Sequence, residues 1–499
     1  MTKRNFFDKT MKNITRFLLK PTIEAIYDIL HMENCKVNGI AGVPDRNKLS
    51  ISPGHIDLEF DETFRAMHAS TYIEYLPEIM LETANGTYKI PQHTAQFEGS
   101  ITMGGEEKQH FDMRFNKLIQ STLVEGCPYF WRFIYPISNN EWFMKIKALP
   151  YADDFGTQHF FNLITADLEG HKMNLYSSNV DNNHWMIVES TEPITYEEMD
   201  HRVMSIIMAL GFVIGKRYGD YCFHVASVEP TFSKIEGIEA LSLKKTRFCP
   251  FKILQPNSNL MVEWLRQFDY QQYALDEIQS TSENGTKWFY EEDASVTIEA
   301  FSKLAQLCYK TNDMLLATSM LIDGSLMNIE YQKPFFHVAL ETITSALIKE
   351  DELLLPPTMP QENYMQEVVP RLLDALKGIM NLPEEAFWIF SRRIEHNLNS
   401  APNANKLEIC FSKYGYMLTR EDKLAINKRN STFHGHLTSE NIPLREQQSE
   451  LLAMSLRLHK LCSILLLKEA GFTGKVLNNE VLFGIKDACE RKEHIYLDI

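Results

Sequence analysis

The sequence predicts an α+β multidomain protein, a β-rich N-terminal half followed by an all-α helical bundle. Three observations carry that reading. The chain has 499 residues, more than one hydrophobic core serves, so two or three domains are expected. Between about 37 and 235, short alternating or aromatic runs stand between clusters of Gly, Asn, Asp and Pro, the pattern of strands and turns. From about Ser295 onward the apolar residues recur at helical spacing.

Residues 1–36 read as an N-terminal helical segment, with Phe17, Leu18, Ile23, Ile26, Tyr27 and Leu30 as apolar positions around Pro21. The strand-like runs that follow are Leu49–Phe60, Gln96–Met103, Tyr129–Ile137, Trp142–Leu149, His184–Ser190 and Tyr221–Ser227. One helix interrupts this 37–235 domain: Thr195 and Glu198 offer a capping box, and Met199 to Val213 has helical apolar spacing. Residues 236–294 read as a connecting region.

The helical bundle is predicted over 295–483, with 484–499 as a C-terminal tail. Ile298, Phe301, Ala305 and Cys308 make its first stripe. Pro334 at a first turn leads Phe335–Ile348, Pro370 opens a helix through Met380, and Pro383 opens Glu384–Leu398. Thr419, with Asp422 three residues on, caps a helix expected to reach His434, with Gly435 just beyond. A last helix spans about Glu446 to Glu469.

Composition narrows the function classes. The net charge of −16 argues against a broad nucleic-acid-binding surface. The deficit is uneven: residues 297–499 carry 22 Lys and Arg against 26 Asp and Glu, leaving −12 for residues 1–296. Any RNA contact must therefore use a local basic cleft; Lys413, Arg420, Lys423, Lys428 and Arg429 cluster near the octet, and their lysines read equally as a solvated helix face of mixed charge. The eight cysteines form no Cys-x-x-Cys pair, and His201 and His224 lack ligand-like partners, so no metal site and no cofactor are expected. The most apolar stretch, Leu451–Leu467, is broken by Arg457, His459 and Lys460 and reads as a packed helix. The run Phe17-Leu18-Leu19 is too short for a signal peptide. The expected location is cytoplasmic, without a membrane partner.

One octet carries chemistry: Arg429-Asn430-Ser431-Thr432-Phe433-His434-Gly435-His436. RNA supplies its own nucleophile, the 2′-hydroxyl, so cleavage needs proton transfer and charge stabilisation only. His434 can move the proton, favoured as imidazolium by a helix C-terminus. Arg429 can hold the phosphate as negative charge builds. Asn430 and His434 are i, i+4 neighbours, so the amide can orient the imidazole. Arg429 and His434 are about 140° apart around an ideal helix, which points to convergence across a cleft or a two-fold axis. The bare spacing also occurs at Arg217 and His224, read as strand residues with a structural His, while His396 lies at the wrong distance from Arg392 and Arg393.

Three passages give a family resemblance: Phe335-Phe336-His337-Val338-Ala339-Leu340-Glu341, then Arg429-Asn430-Ser431-Thr432-Phe433-His434-Gly435, then Leu465-Leu466-Leu467-Lys468-Glu469-Ala470-Gly471-Phe472-Thr473-Gly474. In this order they resemble the HEPN superfamily, specifically the C-terminal HEPN domains of ApeA-like bacterial anti-phage proteins. The resemblance covers about 298–483. It implies a HEPN-like four- or five-helix bundle, a homodimer through that bundle, and a metal-independent endoribonuclease acting as a toxin during phage infection. It also implies Arg429 and His434 as catalytic residues and Asn430 as a supporting one. His436 is a lesser candidate by spacing, read first as a loop residue after Gly435, and Glu341 is either a second polar group facing the site or, more readily, a surface or interhelical salt-bridge residue. Lys428 and Lys423 are the candidate RNA contacts.

Two other readings stand beside it. One is a non-catalytic HEPN module that binds RNA or a partner protein, with ligand sensing by the β-rich half. The other puts a peptide or nucleobase on the aromatic runs Phe130-Trp131 and Trp142-Phe143, residues that more often fill a sandwich core. In the leading reading the β-rich half receives a phage-derived or regulatory trigger.

Overall fold

The computed structural model describes residues 15–32, 36–38, 49–52, 55–60, 78–97, 109–137, 146, 149–155, 158–244, 246–249, 251, 253–254, 296–350, 357–379, 382–396, 398–399, 403–429 and 443–499. The chain has a mixed α+β architecture, β-rich in its N-terminal region and mostly helical in its C-terminal region. It divides into two compact units, the first holding 1–256, 289–310 and 470–474, the second 257–288, 311–469 and 475–499.

The first unit is built on a twelve-stranded sheet. Its middle is a run of antiparallel neighbours: Gln158–Leu168, His171–Val180, Asn183–Ser190, Phe130–Ile137, Tyr221–Ser227, Gly237–Ser242 and Lys117–Ser121. Thr15–Phe17 joins in parallel to Leu149–Asp153 at one edge. A separate four-stranded sheet pairs Leu49–Ser52, His55–Phe60, Gln109–Phe115 and Ala95–Phe97. Two sequence boundaries change. Residues 237–248 supply strands rather than a connection, and Thr15–Phe17 is a strand, so the N-terminal helix α1 covers only Lys20–Leu30 with Pro21 in its first turn. Residues 142–145, with the Trp142-Phe143 run, lie outside the described residues.

Apolar positions of these strands and of α1 pack into one core with Trp185, Ile187 and Phe223. Buried Arg132 is engaged there: its guanidinium donates to Glu189 at 2.6 Å, to the Leu18 carbonyl at 2.7 Å and to the Thr22 hydroxyl at 2.8 Å. Helix α2, Tyr196–Ile214, begins where the Thr195 hydroxyl accepts the Glu198 N–H, and ends at Gly215 with φ +68°, a left-handed position that glycine takes at little cost. Only this half of the predicted capping box forms, because the Glu198 carboxylate instead receives Arg202 at 2.5 Å and the Tyr309 hydroxyl at 2.6 Å. Tyr309 belongs to α3, Ile298–Lys310. The sequence placed α3 in the helical bundle; it packs on α2 and on strand Gln158–Leu168 in the first unit, where Ser302 accepts the Asp167 N–H at 3.2 Å.

The second unit is helical. Helix α4 is Asn312–Gly324 and α5 is Ile329–Glu350. Pro334 sits inside α5 rather than at its first turn, since the helix starts five residues earlier. A short helical stretch over Gln361–Asn363 passes through a π-helical turn, Tyr364–Val368, into α6, Val369–Lys377. Helix α7, Glu384–His396, packs on α6 around Tyr364, Val369, Leu376 and Ile394. Then come α8 Asn403–Lys413, α9 Arg420–Asn427 and α10 Leu444–Glu469. Strand Lys475–Leu477 and α11, Asn479–Leu482, fall in the range read as bundle. The region read as a tail is folded: it holds α12, Lys486–Glu490, and strand Tyr496–Asp498, which pairs antiparallel with Lys475–Leu477. Helix α5 is central, packed on α4, α8 and α10, while α9 lies on α10.

Candidate functional site

The end of α9 positions the sequence-predicted arginine. Both halves of its capping box form: the Thr419 hydroxyl accepts the Asp422 N–H at 3.1 Å, and the Asp422 carboxylate accepts the Thr419 N–H at 3.0 Å. Ile426 is buried, as its place on the apolar stripe predicts. The helix closes at Lys428 (φ −69°, ψ 0°) instead of running on to His434. The next two side chains are drawn to different helices, Lys428 to Glu450 on α10 at 2.7 Å and Arg429 to Glu341 on α5. Asn430, His434, Gly435 and His436 lie outside the described residues.

Arg429 meets Glu341 through two nitrogens. Its Nη2 donates to Oε2 at 2.8 Å, and its Nε contacts Oε1. One hydrogen bond, from Nη2, joins the pair beside the Nε–Oε1 ion contact. The side chains remain 29% and 31% exposed, so the pair is open to solvent. Glu341, read from the sequence as a polar group facing the site or as a salt-bridge residue, is brought to Arg429.

Two further groups were missed. Lys333, His337 and Glu341 recur every fourth residue along α5, which puts them on one helical face. Lys333 and His337 are each only 1% exposed. Burial, with Lys333 and Arg429 adding positive charge, pushes the His337 imidazole down to about 3. Burial and Lys428 also lower the Lys333 ammonium, against the pull of Glu450. The signal was present in the spacing, but the passage holding His337 reads first as an apolar packing motif.

Four of the five cations expected to cluster near the octet are paired with carboxylates. Lys413 pairs with Glu469 at 3.0 Å and Lys423 with Glu408 at 3.5 Å, beside the Lys428–Glu450 and Arg429–Glu341 pairs. These are partly exposed contacts, so each contributes little to stability. Next to them, α9, α10 and α12 line a cleft of about 520 Å³. Its floor includes Arg457 and Glu480, members of a buried four-charge network. In that network Lys460 meets Glu480 at 3.1 Å and Asp422 at 3.6 Å, and Arg457 meets Asp422 at 3.7 Å and also Glu480. Burial alone would depress Lys460, yet Glu480 and Asp422 hold it above its ordinary value.

The second Arg–His spacing has a different setting, in the first unit. His224 lies in strand Tyr221–Ser227, stacked on Phe133 at 3.4 Å between ring centroids, with Nδ1 3.0 Å from the Tyr196 hydroxyl and Nε2 3.3 Å from Cys222 Sγ. Burial, with a smaller push from Lys117, holds it well below its ordinary value. Burial likewise raises the Cys222 thiol, which removes thiolate character. These are the properties of a packed, neutral core histidine. His396 is exposed at the end of α7.

Among the described residues no group of three or more His, Cys, Asp or Glu side chains could hold a metal ion. No described helix is long and apolar enough to cross a membrane. No family model, no curated protein and no solved structure matches the chain.

Proposed function

We propose that the chain is a metal-independent endoribonuclease of the HEPN type, a cytoplasmic toxin-like effector in anti-phage defence. The observation that supports it is Arg429. It stands just past the end of a capped helix, its guanidinium joined to Glu341 and partly open to solvent. His434 follows five residues later in the sequence. In this reading Arg429 receives the scissile phosphate in place of the Glu341 carboxylate and stabilises charge on its oxygens. His434 moves a proton between the 2′-hydroxyl and solvent or the 5′-oxygen. A second copy of the chain, joined through the helical unit, supplies the other proton-transfer group. The β-rich unit receives the trigger.

The test is RNA cleavage by the purified full chain in EDTA. Arg429→Ala should lower the rate by roughly 10²–10³, and His434→Ala by roughly 10²–10⁴. Full cleavage by a folded double variant would overturn the proposal. The pairing of Lys413, Lys423 and Lys428 with carboxylates favours a second reading, a non-catalytic module that binds RNA or a partner protein. It predicts a complex without cleavage products.

A further inference from the structure

Helices α6 and α7 pack on each other around Tyr364, Val369, Leu376 and Ile394. On α7 the inward side is marked by Ser391 and Ile394, 6% and 9% exposed. The opposite side has a different character. Glu385, Trp388, Ile389 and Arg392 follow i, i+3, i+4, i+7, which places them within about 100° of one another around the helix. All four are exposed, Trp388 at 65% and Ile389 at 47%. A helix whose outer side meets only water carries polar residues there. Here a tryptophan and an isoleucine hold the middle of the stripe, with a charge at either end, the pattern of a surface that another molecule covers.

The two charged ends select that molecule. Read along the helix, the stripe runs acid, apolar, apolar, base, and read backwards it is its own complement. A second α7, laid antiparallel about a two-fold axis that passes between positions 388 and 389, sets Glu385 of each copy opposite Arg392 of the other. Trp388 and Ile389 of both copies then meet at the axis. Both ion pairs form together, as a contact between identical surfaces requires. A parallel arrangement would set Glu385 against Glu385 and Arg392 against Arg392, so the same charges reject it. Within one helix Glu385 and Arg392 stand two turns apart, not at the three- or four-residue spacing of intrahelical pairs.

We propose that α7 is a self-association surface, on which two copies of the chain pair antiparallel across a two-fold axis. Trp388 and Ile389 supply the apolar contact, and the two Glu385–Arg392 pairs set its direction. A single helix pair belongs with the small, transient interfaces, so assembly depends on concentration. Neither Arg429 nor His434 takes part, and the pairing stands whether or not the chain cuts RNA.

Sedimentation equilibrium of the full chain over about 1 to 100 μM tests it. The mean mass should rise with concentration. Glu385→Arg alone, or Arg392→Glu alone, puts like charges at both ends of the contact and should weaken assembly about tenfold. An equimolar mixture of those two variants should assemble again. So should E385R/R392E, whose reversed stripe is once more its own complement. Trp388→Ser should weaken assembly by roughly thirtyfold, as loss of a central aromatic anchor does. Phe390→Ser, about 150° around the helix from the middle of the stripe, should leave it unchanged. All five positions are exposed, so the core between α6 and α7 is kept. A mass that is the same in the unaltered chain and in both single reversals overturns the proposal and leaves the stripe to a different protein or a bilayer. A mixture of the two reversals that assembles no better than either alone also overturns it.

Discussion

Arg429 donates one hydrogen bond to Glu341 and is ion-paired with it, so a phosphate reaching Arg429 competes with a carboxylate. Glu341→Gln removes the competing charge while keeping the shape. Because the pair is about two-thirds buried, its net worth is on the order of 1 kcal/mol or less. The expected result is RNA binding tighter by up to about fivefold, measured by titration at fixed salt; unchanged or weaker binding would show that Glu341 does not compete. His337 and His459 lead to a second residue-scale prediction. Both sit at about 3 when folded, mainly through burial, against about 6.5 in an unfolded chain. Between those values the unfolded state binds more protons, so stability is greatest above pH 6.5 and falls as pH drops through the window. The urea midpoint should be lower at pH 5 than at pH 7.5, and His459→Gln should shrink the difference. A midpoint equal at both pH values contradicts the buried neutral assignment. At this scale the sequence named Arg429 by motif and Glu341 more readily as an interhelical salt-bridge residue, and the structure pairs the two. His337 and Lys333 were not read as part of the site, because one helical face becomes a polar row only once Arg429 is laid against it.

Elements were legible where a local signal ends them and less so where tertiary contacts decide. Thr419 and Asp422 form the box their spacing predicts, and Thr195 and Gly215 bound α2. Thr419→Ala should cost about 1 kcal/mol, seen as a lower urea midpoint at unchanged slope; a change within 0.2 kcal/mol, roughly the few tenths typical of a neutral cap exchange, would contradict it. Pro334 misled because it marks a helix start when it occupies a first turn, yet α5 continues through it, and Gln332 donates back to the Ser325 and Met327 carbonyls to tie down the preceding turn. The C-terminal end of α9 was missed for a different reason. Helical spacing continues through the octet, but Lys428 and Arg429 are drawn to carboxylates on two separate helices.

For the whole molecule, the change from strand period to helix period near 295 was readable, and the assignment of α3 was not. Its stripe of Phe301, Leu304, Ala305 and Cys308 fits any apolar partner; the Ser302 and Tyr309 contacts tie it to the first unit. The net charge of −16 argues against a broad RNA surface, and Lys413, Lys423 and Lys428 near Arg429 are each paired with a glutamate. An RNA-cleaving function must therefore rest on a few residues rather than on a basic face. The measurement that tests this most directly is the chemistry of RNA ends after incubation of the full chain with total RNA in EDTA, beside Arg429→Ala and His434→Ala. The account predicts 2′,3′-cyclic phosphate and 5′-hydroxyl ends from the unaltered chain and their loss in both variants. Intact RNA with the unaltered chain, or the same ends from both variants, would contradict it.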